Sequence, residues 1–192
     1  MSQFISVFDM LKIGVGPSSS HTLGPWRAAQ QWIQYLKDAQ LFNKIDGIRI
    51  DLFGSLSLTG KGHATDYAVM LGLSGTDPEY IPISDIENII SQIKSNNKLQ
   101  FNDEKEINFS IENVVFNKDF LPFHSNGIIF RGFYKGKEIS IETYYSIGGG
   151  FIVQEDDHLE EEIDINKKNF PFPINRAVQL EEYCEKENLS IS

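Results

Sequence analysis

Gly14-Val15-Gly16-Pro17-Ser18-Ser19-Ser20-His21-Thr22-Leu23-Gly24-Pro25 is the stretch from which the rest of the chain unfolds. Its glycines cost a regular element backbone entropy, and Pro17 has no N–H to give a ladder, so a loop is expected. Pro25 then suits the first turn of a helix, where an amide has no intrahelical partner. Trp26, Ala29, Ile33 and Leu36 follow at helical spacing, which predicts an amphipathic helix to about Gln40. The chemistry of the loop is equally pointed. The hydroxyls of Ser18, Ser19, Ser20 and Thr22 surround His21 at a helix start, where unpaired N–H groups and the helix dipole favour a carboxylate or phosphate. His21 can donate to such an anion or transfer a proton near neutral pH. The plainer alternative is that Ser20 or Thr22 only caps the helix and His21 decorates the surface.

Further along, Ile48, Ile50 and Leu52 alternate with Arg49 and Asp51, as in a half-buried strand that ends at Gly54. The next segment, Gly54-Ser55-Leu56-Ser57-Leu58-Thr59-Gly60-Lys61-Gly62-His63, lies between that strand and a helix expected over Ala64 to Leu73. It fails as a nucleotide P-loop. Five residues separate Gly54 from Gly60, and Gly62 stands where a Ser or Thr would bind magnesium. What remains is a second loop of glycines and hydroxyls bearing Lys61 and His63, suited to an anion or serving only as a flexible connection. Ser84 and Glu87 have the spacing of a capping box before Ile86, Ile89, Ile90 and Ile93, so a third helix is expected to about Ser95.

From Ile107 the pattern turns to strands. Phe109 and Ile111, then Ile128 to Tyr134, a turn at Lys135 to Lys137, and Ile139 to Tyr145 suggest an antiparallel meander. Gly148, Gly149 and Gly150 interrupt it before a last strand, Phe151 to Gln154. Three successive glycines imply a bulge or the close approach of a backbone or ligand, unless they are a bland turn. The expected class is α+β, with helices packed on a mostly antiparallel sheet.

With 192 residues, 41% hydrophobic and 23% charged, the chain has the composition of one globular domain with tails. We place the domain over residues 1–155. Residues 156–192 are expected to form an acidic linker, crowded from Glu155 to Asp164, and a final helix over Ile174 to Glu187. A net charge of -10 argues against nucleic acid as a partner. Met1 to Asp9 lack a basic start or an apolar run, and no segment approaches the ~20 apolar residues of a membrane span, so a cytoplasmic protein is expected. Cys184 is the only cysteine, which excludes an internal disulfide and any thiolate-only metal or cluster site from this chain. On the final helix it reads as a small hydrophobe. His124 reads as a hydrogen-bonded turn histidine or a fourth loop element, and His158 as solvated. Phe130, Phe133 and Tyr134 raise a structural alternative, a flat aromatic surface for dimerisation.

Taken together, these segments resemble the β portion of the bacterial iron–sulfur L-serine dehydratases, the L-serine ammonia-lyases. The resemblance rests on Ser6-Val7-Phe8-Asp9 leading into Ile13 to Thr22, on Gly54 to His63, on Thr65-Asp66, on His124 with Asn126-Gly127, and on Tyr144-Tyr145-Ser146-Ile147-Gly148-Gly149-Gly150-Phe151. Ser125 departs from it where Pro would be expected. The family implies conversion of L-serine to pyruvate and ammonia, in amino-acid degradation and gluconeogenesis, by a homo-oligomer such as a dimer. It implies a 4Fe-4S cluster whose cysteine ligands lie in a catalytic α portion outside this chain. By the same resemblance, Ser19, Ser20, His21 and Thr22 would bind the substrate carboxylate, with His21 also an acid or base. Lys61, His63, Gly148 and Gly149 would shape the same cleft or a neighbouring anion site. The chain would then be a fragment, inactive alone, whose final helix leads toward the catalytic domain. An alternative is a regulatory module that binds a small anion or substrate without a catalytic role.

Overall fold

The computed structural model describes residues 14–155, 172, 174 and 176–190. The motif residues Ser6 to Ile13, the acidic stretch from Asp156 to Asp164 and His158 lie outside them. Helix α1 spans Leu23–Asp38 and carries Pro25 in its first turn. Its apolar stripe of Trp26, Ala29, Trp32, Ile33 and Leu36 is buried, as the spacing predicts. Strand β1 follows at Gly47–Leu52.

Where the sequence suggests a loop from Gly54 to His63, the chain coils into two short helices, α2 over Gly54–Leu58 and α3 over Gly60–His63. Leu56 is fully buried and draws the segment onto the core. Two of its first amides find acceptors elsewhere, Gly54 at the Asp119 carbonyl (2.8 Å) and Ser55 at the Ser125 carbonyl (2.8 Å). Ala64, in the left-handed region at φ 55°, separates α3 from α4, Thr65–Leu73. Helix α5 covers Ile83–Asn96, with Pro82 at its N-cap. The expected capping box does not form: the helix begins before Ser84, whose hydroxyl donates to Asp85 instead, at 3.2 Å.

The strands differ from the expected meander in two respects. A hairpin of β2, Lys98–Phe101, and β3, Lys105–Asn108, stands apart as its own two-stranded sheet. The strand expected around Ile111 is instead a single 3-10 turn, Ile111–Asn113, leading to β4, Val114–Phe116, which runs parallel to β1. Strands β5 (Gly127–Tyr134), β6 (Lys137–Gly148) and β7 (Phe151–Gln154) are antiparallel neighbours, so the main sheet has the order β4-β1-β5-β6-β7. It is mostly antiparallel, and the α+β class holds. Lys135 and Gly136 turn the β5–β6 hairpin with positive φ at both positions, as a primed two-residue turn requires. Helix α6, Ala177–Glu187, closes the described chain. No helix among the described residues is long and apolar enough to cross a membrane.

One face of the sheet carries the core. Ile48, Ile50, Leu52, Ile128, Phe130 and Tyr144 are buried. Trp32 of α1 stacks on Phe130 with ring centroids 5.2 Å apart and donates its indole N–H to Ser140 Oγ at 3.3 Å. Phe130 is thus a core residue, whereas Phe133 lies beside Arg49 and Arg131 on the other face. A continuous aromatic docking surface of Phe130, Phe133 and Tyr134 is not formed, because strand alternation sends neighbours to opposite faces.

Lys105 ties the small hairpin to the body. Its ammonium donates to the Ile45 carbonyl at 2.7 Å and to the Phe42 carbonyl, above the rings of Phe42 and Phe101. Burial lowers its pKa, against the pull of Asp46 and Glu104. Lys105→Met should cost about 1–3 kcal/mol, the loss of charged hydrogen bonds to the Phe42 and Ile45 carbonyls, read as a lower urea midpoint at unchanged slope. An unshifted midpoint would refute that role.

Candidate functional site

Ser18 to Thr22 form a tight turn closed on two carbonyls. Ser18 O accepts the amides of His21 (3.0 Å) and Thr22 (2.9 Å), and Ser19 O accepts that of Gly24 (2.8 Å). Thr22 occupies the N-cap position of α1 but does not cap with its side chain; its hydroxyl donates back to the Ser18 carbonyl at 2.7 Å. The plain capping explanation of these hydroxyls therefore fails. A second consequence is that three amides at the helix start are already engaged, so an anion here would be met chiefly by side chains.

Those side chains converge on His21. Its Nδ1 lies 3.0 Å from Ser20 Oγ and 3.4 Å from Ser18 Oγ, while its Nε2 lies 3.0 Å from Ser55 Oγ on α2. The His63 ring on α3 sits 4.8 Å away, centroid to centroid, tilted by 35°. His63 donates its Nδ1–H to the Thr59 carbonyl at 3.0 Å. Burial, reinforced by His63, holds the His21 pKa below the ordinary histidine value, against a hydrogen bond to Ser55. The surroundings of His21 thus favour the neutral imidazole over the charged ring. Lys61, exposed on α3, places its ammonium 5.4 Å from the centre of the Phe116 ring. Ser19 is exposed on the rim of the turn. The first two motifs are thus one site, although 34 positions separate His21 from Ser55.

The glycine motif reaches the same place. Ser146 Oγ donates to the Ser20 carbonyl at 2.8 Å, and Arg27 donates to the Gly150 carbonyl at 3.3 Å. Gly24 makes the approach possible, since a Cβ there would lie 2.0 Å from Ser146 Oγ. The strand register shifts after Ser146, and Gly148, Gly149 and Gly150 all take positive φ. The triple glycine therefore marks a bulge, and a Cβ at Gly150 would come within 2.6 Å of the Leu23 side chain. Gly148 and Gly149 lie in that turn, where a Cβ at Gly148 would meet nothing within 4 Å and one at Gly149 only the Phe151 ring.

Asn126 completes the frame. It exchanges hydrogen bonds with Ser146, accepting at its carbonyl (3.0 Å) and donating from its side chain (3.0 Å). His124 is a turn histidine whose Nδ1 accepts the Asn126 amide at 3.1 Å. At the base of α4, Thr65 Oγ1 and Asp66 Oδ1 are buried without a hydrogen-bond partner among the described residues, as is Asn126 Oδ1. Burial raises the Asp66 pKa, opposed by the amides of Tyr67 and Asp66 and by Lys94 and Lys61. Buried polar atoms left unpaired, beside a carboxyl displaced from its usual range, are features that gather at functional sites. Ser55 and Ser146 were not picked out by sequence as site residues. Both lie inside the quoted motifs, but a lone hydroxyl carries no signal until its partner is known.

The family model described as the serine dehydratase beta chain matches residues 6–157. The chain belongs to this family, and its mixed sheet with flanking helices is the fold in which the family's motifs meet. Among its relatives are L-serine dehydratase 2 of Escherichia coli (strain K12), 40% identical over 98% of this chain, and the L-serine dehydratases of Haemophilus influenzae, 40% identical over 98%, and Streptomyces coelicolor, 37% identical over 98%. The chain spans 41–42% of the length of these relatives.

Proposed function

We propose that this chain is the substrate-gripping portion of an L-serine dehydratase, which converts L-serine to pyruvate and ammonia together with a catalytic domain outside these residues. The convergence of the serine–histidine turn, Ser55 and His63 around one imidazole supports this most. The hydroxyls of Ser19 and Ser20 and the His21 ring take the substrate carboxylate, while Thr22, expected from the sequence to share in this, is buried and holds the turn by donating its hydroxyl to the Ser18 carbonyl. Lys61 and His63 line the neighbouring wall, and Gly148 and Gly149 its edge. With one ring nitrogen facing Ser20 and the other Ser55, His21 can accept a proton on one side and release it on the other by exchanging tautomers.

A 4Fe-4S cluster, where bound, supplies a Lewis acid for the departing hydroxyl. This chain does not fit its ligand set, because its single thiol, Cys184, lies on α6. The cluster's cysteines therefore belong to the part of the protein beyond this chain. Residues 1–155 act as the substrate-contributing domain, and α6 leads toward the catalytic one. The whole enzyme is assigned to the cytoplasm as a homo-oligomer, and the chain alone to an inactive state.

In the complete enzyme, His21→Ala is expected to lower kcat by about 10²–10⁴-fold, the usual worth of a positioned acid–base group. Turnover that survives with only its cooperativity altered would assign the site to regulation by a small anion or by substrate.

A further inference from the structure

The outer face of the sheet holds a charge cluster that the serine site does not use. Arg49 of β1 and Arg131 of β5 stand directly opposite each other in the antiparallel ladder. Like charges in that position repel unless a counter-charge intervenes. Asp51 supplies it. Its Oδ1 accepts from Arg49 Nε (3.1 Å), Arg49 Nη2 (2.8 Å) and Asn117 (3.3 Å), and its Oδ2 accepts from Arg131 Nε (3.0 Å). The Asp51 side chain is only 4% exposed, whereas that of Arg49 is 49% exposed. The carboxylate is thus the floor of the cluster and the guanidinium groups are its rim. Glu138 takes one further N–H of Arg131 at 2.8 Å.

Asp51 and Glu138 balance the two guanidinium charges, but most of the N–H groups of both forks have no protein acceptor among the described residues. They border an open cavity of about 340 Å³ whose remaining walls are Phe53, Asn117, Phe133 and Glu138. That volume is within the range of small-molecule sites, and rigid forks beside aromatic walls suit a carboxylate attached to an apolar body.

We infer that this cavity binds a small organic carboxylate, its oxygens held by Arg49 and Arg131 and its apolar body by Phe53 and Phe133. The site is distinct from the one at His21. That residue lies in the turn just before α1, which packs on the core face of the sheet, through Trp32 on Phe130.

The test is calorimetric titration of the chain with benzoate, with acetate and inorganic phosphate as controls. Benzoate should bind saturably and about tenfold or more tightly than acetate, because only it carries a body for the aromatic walls. Arg49→Met should weaken benzoate about tenfold, while Asp51→Asn, which removes the competing negative charge, should strengthen it. His21→Ala should leave it unchanged. Arg49 is half-exposed and Asp51 keeps Arg131, so Arg49→Met retains the fold, which circular dichroism verifies. Absence of saturable benzoate binding, phosphate binding more tightly than benzoate, indifference to Arg49→Met, or loss in His21→Ala would each overturn the assignment.

Discussion

Arg131→Met is expected to lower stability by about 3 kcal/mol at neutral pH, because it strips a buried carboxylate of one of its two charged partners. Asp51 is nearly inaccessible, with Arg131 Nε 3.0 Å from its Oδ2. In the native protein burial pushes the Asp51 pKa up, but hydrogen bonds from Arg49, Arg131 and Asn117 outweigh it and hold the carboxyl below its ordinary value. A depressed carboxyl contributes stability above its unfolded pKa and loses it as pH falls through the folded one. Without Arg131, burial counts for more and the Asp51 pKa rises, so the variant recovers relative stability on acidification. Urea unfolding at about pH 7 and pH 5 should show the gap between the two proteins narrowing in acid. The double variant Arg131→Met/Asp51→Leu should regain most of the loss, since an apolar pair of similar volume replaces a buried ion pair at little cost. A gap of equal size at both pH values, with no relief in the double variant, would refute the account.

That cluster also shows where sequence reasoning stops. Arg49 and Asp51 read only as the polar half of an alternating strand, and nothing local announces that Arg131, 80 positions away, shares the carboxylate. Elements fixed by local periodicity and punctuation were legible: α1 from its apolar stripe, β5 and β6 from alternation across Lys135-Gly136, and β7 at its observed bounds. Elements held by tertiary contact were not. The five residues of α2 and four of α3 are too few to be stable as isolated helices and form because Leu56 is buried and distant carbonyls take their first amides. The β2–β3 hairpin was missed although Asn102 and Asp103, both at positive φ, are residues that tolerate such a turn. In the site, residue types pointed to anion chemistry, but the meeting of His21 with Ser55 and of Ser20 with Ser146 is a product of topology.

Gly24 is the point where that topology can be tested. An alanine Cβ at this position would lie 2.0 Å from Ser146 Oγ and 2.8 Å from Ser146 Cβ. Ser146 is fully buried and bonded to the Ser20 carbonyl, so relief requires either loss of that bond or displacement of β6 from α1. Stability should fall by less than about 2 kcal/mol, because the cost of overpacking is offset by alanine's better helix propensity. Activity should suffer far more. The displaced group is bonded to Ser20, whose hydroxyl touches His21 Nδ1, and a misplacement of about 1 Å at a reacting centre can cost about 100-fold. In the complete enzyme, Gly24→Ala is therefore expected to lower kcat/KM by about 100-fold while the protein stays folded. Adding Ser146→Gly restores the space but not the hydrogen bond, and should recover most of the lost activity. Wild-type turnover in Gly24→Ala would mean that the glycine turn and the serine–histidine turn do not form one site. A double variant no better than the single one would mean that the clash with Ser146 is not what the alanine disturbs.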